Sequence, residues 1–327
     1  MLALFKKNDI RAVFGLLFLG ILCHWHNFTA PISSPAASKF HKALFFQSDI
    51  LLQWANHHPL LLSILSFLAL FSTALYLNHI VVQEKMVNRK SYFVALSFML
   101  YTGFMPVFSV LSMPFFSALA TTFAFAKCVS LNHSNQIKTD VFSIGVLLSL
   151  GTLFYFPAIL NLFFFLFILI LLRVFSPRDL VTLLLGFTGP MYVVGILVYF
   201  FGDSDTVLKN LYFHIEFPVS VVYAKQTLIW SALTLILFVY GSFLYQVQRA
   251  RMHIAVRKKW NALALYLIAG VVSGLFSKEF PSVAWIVMII PFSILLSLTF
   301  QSDREKVNTF TFYFFIIALL ATQWLIK

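Results

Sequence analysis

Long apolar runs separated by short polar clusters set the pattern of this chain. A helix that crosses a bilayer needs about 20 consecutive apolar residues. Single runs of that kind cover residues 12–28, 59–80, 180–201, 227–246, 261–277, 282–300 and 308–326. Two stretches are longer. Residues 91–126 would be roughly 54 Å long as one helix, too much for one crossing and enough for two short ones. Gly103, Pro106 and Pro114 offer places to break it. Residues 141–172 pose the same question, with Phe154-Tyr155-Phe156-Pro157 near the middle. Lys85, Arg89 and Lys90 precede the first stretch, Lys127 and Lys138 follow it, and Arg173 and Arg178 follow the second. Cytoplasmic loops are enriched in Lys and Arg. If all these clusters are cytoplasmic, each long stretch crosses twice or not fully at all.

The pattern therefore predicts an all-α polytopic transmembrane bundle of about 11 helices, with a nine-helix version of the same parity. It forms one integral membrane domain over residues 1–327, N-terminus cytoplasmic and C-terminus periplasmic. In that arrangement every arginine lies on the cytoplasmic side. Of the 23 basic residues only Lys39, Lys42, Lys209, Lys225, Lys278 and Lys327 lie outside.

Composition narrows the picture further. The 327 residues are 61% apolar and 10% charged, with 40 phenylalanines. A single soluble core stops growing near 250–300 residues, so this much apolar surface has nowhere to hide in water. A soluble enzyme, a nucleic-acid-binding domain and a disordered chain are excluded. The net charge of +12 reads as a loop bias, not as a nucleic-acid partner. Two cysteines are too few for a disulfide framework or a thiolate metal site.

Several local signals mark helix ends and contacts. Ser176-Pro177-Arg178-Asp179 has a capping Ser, a Pro at the first helical position and an acid at the third. Thr139-Asp140 is expected to open the helix after it. Gly270 and Gly274 form a GxxxG pair that suits close helix packing. Phe187-Thr188-Gly189-Pro190 reads as a kink in a helix. Asn161 and Gln323 read as interhelical hydrogen-bonding groups. No Asp, Glu, Lys or Arg falls well inside a predicted span, which argues against an ion-coupled transporter. No P-loop, GxGxxG or GxSxG motif occurs.

The remaining polar residues gather on the outer side. In the first outer segment, Phe40, Ala43, Leu44, Ile50, Leu51, Trp54 and Ala55 share one helical arc. His41, Lys42, Ser48, Asp49 and Gln53 take the other, where Phe45, Phe46 and Leu52 blur the polar side. This predicts a helix lying on the membrane surface. Val207, Leu208 and Leu211 suggest a second one. Asp49, Asp203, Asp205, His214 and Glu216 are the candidate catalytic groups of these segments, and Lys42 and Lys209 the candidate phosphate contacts. Acids so placed also cap helices and solvate loops. A shared site requires Asp49 to come within about 10–12 Å of one of the others. His24, His26, His41, His57, His58 and His214 are all on this side, but His24 and His26 would point about 200° apart on a helix. The prediction is no metal and no cofactor.

The stretch Phe154-Tyr155-Phe156-Pro157-Ala158, the Phe/Leu run to Arg173-Val174-Phe175-Ser176-Pro177-Arg178-Asp179, and then Leu184-Leu185-Gly186-Phe187-Thr188-Gly189-Pro190 carry a resemblance. So does the opening Leu4-Phe5-Lys6-Lys7-Asn8. The chain resembles an uncharacterised family of multi-spanning inner-membrane proteins of the Bacteroidota, which implies a bacterial inner membrane and no particular activity. It is more distantly similar to multi-spanning glycosyltransferases that use lipid-linked sugars, which carry an acidic base in a large first outer loop. Asp49 is the only acid in that loop here, and no outer arginine is present to grip a carrier phosphate.

Three functions follow as expectations. The first is a non-catalytic subunit or scaffold of a cell-envelope assembly. The second is a glycosyltransferase-like protein acting on lipid-linked saccharide at the outer face. The third is a transporter or flippase. The partners expected are membrane lipids, a lipid-linked saccharide or other envelope proteins, and no nucleic acid. The charge bias yields a direct prediction of sidedness. A cysteine placed at Asp205 should react with a membrane-impermeant thiol reagent from the periplasmic side, and one at Arg257 should not. The opposite labelling would invert the topology.

Overall fold

The computed structural model describes residues 2–6, 9–29, 58–87, 91–131, 136–172, 176–201, 220–221, 224–276, 279–280, 282–301 and 305–324. The helices are α1 (Leu2–Phe5), α2 (Ile10–Cys23), α3 (Trp25–Thr29), α4 (Pro59–Gln83), α5 (Phe93–Thr102), α6 (Met113–Ser130) and α7 (Ile137–Phe154). They continue as α8 (Leu160–Leu172), α9 (Pro177–Phe201), α10 (Ala224–Arg249), α11 (Ile254–Leu275), α12 (Ile286–Ser297) and α13 (Glu305–Trp324). Among the described residues, 6 helical segments are long and apolar enough to cross a membrane, and α2, α5, α8 and α13 hold shorter apolar segments. Together with α11 they match the expected apolar runs one for one. α11 falls outside both groups because its first two turns carry Arg257, Lys258 and Lys259.

Both long stretches break where expected. Residues 103–112 leave the α-helix, with a 3-10 turn at Pro106–Ser109, and Phe156–Ile159 form another after Tyr155. Each Pro sits at the start of its turn, where a missing N–H costs least. The chain reverses at both places. Phe93 meets Phe300 (ring centroids 6.2 Å apart) and Tyr101 meets Phe292 (5.0 Å), so α5 runs antiparallel to α12. Lys127 meets Asp140 at 2.8 Å while Ser117 lies against Gly151, so α6 runs antiparallel to α7. The limbs of each reversal then pack elsewhere: α5 lies on α12 and α4, α6 on α7, and α8 on α11.

The centre of the bundle is the segment Val283–Phe300, whose apolar window is 94% buried. Its sequence is apolar on every side, as is that of α5, all ten residues of which are buried. A helix without a polar face has to be enclosed by others or by lipid. The core is stitched by a few hydrogen bonds. Ser97 Oγ donates to the Ser293 carbonyl at 2.7 Å. Tyr266 Oη lies 3.2 Å from Thr121 Oγ1 and 3.1 Å from Thr122 Oγ1, with its ring stacked on Phe125. Tyr155 Oη donates to the carbonyls of Ser273 and Phe276. Asn161 bridges helices as expected, its Oδ1 accepting from Ser273 Oγ at 3.1 Å. The side chain of Gln323 lies outside the described residues.

The local signals largely hold. Ser176 and Asp179 form a reciprocal capping box: the Ser176 N–H and Oγ donate to Asp179 Oδ2, and the Asp179 N–H donates to Ser176 Oγ. α9 continues through Pro190, and Thr188 Oγ1 donates to the Leu184 carbonyl within it. α7 opens at Ile137, two residues before Thr139, which puts Asp140 in its first turn, where it pairs with Lys127. At the end opposite this ion pair, Ser220–Val221 (β1) and Glu279–Phe280 (β2) pair in parallel. The predicted surface helix around residues 40–55, and the second one around Val207 and Leu211, lie outside the described residues.

The closest backbone contact had no motif to announce it. A Cβ on Gly145 of α7 would lie 2.3 Å from the Leu183 carbonyl oxygen, and a Cβ on Gly186 of α9 would lie 2.3 Å from that of Phe142. The two helices touch main chain to main chain, an approach only glycine permits. Gly189, one turn further along α9, has nothing within 4 Å. Gly145→Ala and Gly186→Ala should therefore each destabilise the protein by about 1–3 kcal/mol, the range for overpacking, while Gly189→Ala should be neutral or mildly stabilising. Thermal unfolding in detergent would check this; equal effects at all three positions would contradict the contact.

Candidate functional site

The best-built polar cluster among the described residues lies where α4 ends. Met86 N–H donates to the Val81 carbonyl and Lys85 N–H to the Val82 carbonyl. That pair of bonds closes the helix in a Schellman motif, whose penultimate position favours glycine. Lys85 occupies it, with φ 52°, as the one non-glycine residue of positive φ among the described residues. An L-residue pays roughly 1–2 kcal/mol for this conformation. Val81 and Met86 are both buried at its base, and Lys85 itself is exposed.

α11 grips this turn from the side. Lys259 Nζ donates to Glu84 Oε2 at 2.7 Å and to the Glu84 carbonyl at 3.1 Å. The next residue, Trp260, donates its Nε1–H to the Met86 carbonyl at 3.0 Å. Both side chains of the ion pair are 6% exposed. Two ions at that depth are tolerable only because each satisfies the other. By sequence Lys259 stands beside Arg257 and Lys258 in one basic run, and nothing in that run announces its burial. Lys258 is exposed, and Arg257 donates to the carbonyls of Met252 and Ala250 beyond the end of α10. Lys259 instead begins the buried stripe Lys259–Ala262–Leu263–Tyr266–Gly270–Ser273. That stripe has helical spacing and was the available signal.

Two cavities flank the turn. One, of about 630 Å3, is lined by Gln83, Glu84, Lys85, Ser130, Val256 and Lys259. The other, of about 530 Å3, lies between α2 and α4 and is lined by Val13, Leu75, Asn78, His79, Lys85 and Tyr92. Lys85 borders both. Asn78 is 4% exposed, and its Oδ1 has no hydrogen-bond partner. Leu75, Asn78, His79 and Val82 stand at helical spacing, which puts them on one face of α4.

The basic residues of this end form a collar. Lys6, Arg11, Lys85, Lys127, Lys138, Arg178, Arg249, Arg251, Arg257 and Lys258 all stand at the helix ends gathered here. Lys225 stands at the opposite end, where Trp230 meets Trp285. The candidate catalytic residues Asp49, Asp203, Asp205, His214 and Glu216, and the candidate phosphate contacts Lys42 and Lys209, lie outside the described residues. Of the outer histidines, His24 is buried: its Nδ1 donates to the Gly20 carbonyl and its Nε2 lies 3.3 Å from Thr102 Oγ1. Among the described residues no three His, Cys, Asp or Glu side chains come together as a metal site.

Fold and composition are those of a multi-pass helical membrane protein, with its polar construction concentrated at the basic end. The chain belongs to DUF6427, a family of unknown function, which it matches over residues 39–326. No curated protein and no solved structure matches it.

The clasp makes a quantitative prediction. Lys259→Met should cost about 3–5 kcal/mol, because it leaves the Glu84 carboxylate buried without its partner. The double variant Lys259→Met/Glu84→Gln should recover part of that loss. Unfolding of the four proteins in detergent completes the cycle; strict additivity of the two single effects would show that the pair does not couple.

Proposed function

We propose that this chain is a non-catalytic subunit of a cell-envelope assembly, embedded in a bacterial inner membrane with its N-terminus cytoplasmic and its C-terminus periplasmic. The basic collar supports that orientation through the bias of cytoplasmic loops toward Lys and Arg. The observation that carries the subunit role is the contrast between two helices. The window Val283–Phe300 is 94% buried within the chain, whereas Pro177–Phe200 of α9 is 17% buried. Beyond its contact with α7, α9 leaves Gly189 and Gly195 with open space where a Cβ would stand, beside exposed Tyr192, Val193 and Ile196. Small residues on an uncovered helix suit a second helix at close range better than they suit lipid.

The polar layout supports the same reading. Among the described residues the buried acidic, basic and imidazole side chains Glu84, Lys259 and His24 are each engaged locally, at opposite ends of the bundle. Proton relays and ion paths use ionisable groups at membrane depth, and this arrangement offers no continuous series of them.

Purification of the full-length protein in mild detergent, followed by mass spectrometry, tests the role. A partner protein should co-purify in fixed ratio, and Gly189→Leu/Gly195→Leu should release it without lowering the melting temperature of the chain itself. A chain that purifies alone and transfers sugar from a lipid-linked donor would replace this reading with the transferase one.

A further inference from the structure

We propose that the cleft between α2 and α4 binds the head group of an anionic phospholipid, with the Lys85 ammonium receiving the phosphate. The inference needs the membrane setting but not the scaffold role.

The cleft has two kinds of wall. Val13, Leu75 and Val82 make one side apolar, while Lys85, His79 and Tyr92 bring polar groups to the other. A soluble anion has no use for the apolar side. A lipid uses both, its chain root along Val13 and Leu75 and its phosphate at Lys85. The volume, about 530 Å3, suits a glycerophosphate and the first carbons of its chains. Basic pockets between membrane helices on the cytoplasmic side are a recurring way of holding such head groups.

Two further observations point to a ligand. The Asn78 side chain is nine-tenths buried, borders the cleft, and has an amide atom without a partner. The O and N of an amide are interchangeable in assignment, so Asn78 keeps one unmet hydrogen-bonding atom buried beside the cleft wall. Lys85 also stands where glycine would close the helix without strain. Residues held in strained backbone conformations cluster at ligand sites, where the side chain is needed at that spot. Among the described residues that line the cleft, Lys85 is the one lysine or arginine.

The backbone geometry supplies an informative variant. Lys85→Gly removes the ammonium and suits φ 52° better than lysine does, so it should fold at least as well as the parent. The full-length protein in neutral detergent would be titrated with phosphatidylglycerol, phosphatidylcholine and inorganic phosphate, reading melting temperature and lipid retained in native mass spectrometry. Phosphatidylglycerol should raise the melting temperature and remain bound. Lys85→Gly should weaken that binding about tenfold or more, the loss expected for a charge-assisted contact, and Lys85→Arg should retain it. The proposal is overturned if Lys85→Gly binds phosphatidylglycerol as the parent does. It is equally overturned if phosphatidylcholine binds as well, or if inorganic phosphate protects to the same extent.

Discussion

Enclosing the segment Val283–Phe300 constrains everything around it. Its apolar window is almost wholly buried, so neighbouring helices have to approach on all sides. Between helices in lipid there is no hydrophobic driving force of the kind that operates in water, and association relies on close packing and a few polar bonds. Gly270 of α11 meets this demand: a Cβ there would lie 2.7 Å from the Met288 Cα. Gly274 stacks against the Trp285 ring in the same way. Along the segment Ser293, Ser297 and Thr299 turn their hydroxyls back to carbonyls of the preceding turn. The central helix thus carries hydroxyls without carrying a site.

Polar construction is then pushed to the ends. At the basic end, three donors from Lys259 and Trp260 hold the Glu84–Met86 turn. The exposed pair Lys127–Asp140 lies at the same end, with 41% and 20% exposure. An ion pair so accessible contributes little, about 0–1 kcal/mol. The buried pair differs in kind: breaking it strands a charge, so it fixes the position of α11 against α4 more than it adds net stability.

Much of the fold was legible because it follows from length and local chemistry. Apolar run lengths marked the helices, Pro106 and Pro157 marked the reversals, and Ser176 with Asp179 marked a helix start. The Gly270–Gly274 spacing showed one true contact. The Gly145–Gly186 contact was not legible, because its two glycines come from different helices and neither helix carries a GxxxG pair at that point. Lys259 was missed for a related reason. Arg257, Lys258 and Lys259 are three consecutive basic residues, and only the register with Tyr266 and Ser273 distinguishes the one that turns inward. The expected cluster of Asp49, His214 and Glu216 lies outside the described residues. The polar cluster at Lys85 rests on a left-handed backbone angle, which side-chain patterning does not encode.

The short pairing of Ser220–Val221 with Glu279–Phe280 ties surface to centre. β1 belongs to the long connection between α9 and α10, the same connection that carries Asp203, His214 and Glu216. β2 stands two residues before Ser282, which begins the turn into Val283–Trp285. The connection that carries these residues is therefore tied, through two residues of backbone pairing, to the start of the most buried of the long apolar segments. A pull on that loop is delivered to the axis of the bundle rather than lost at its rim.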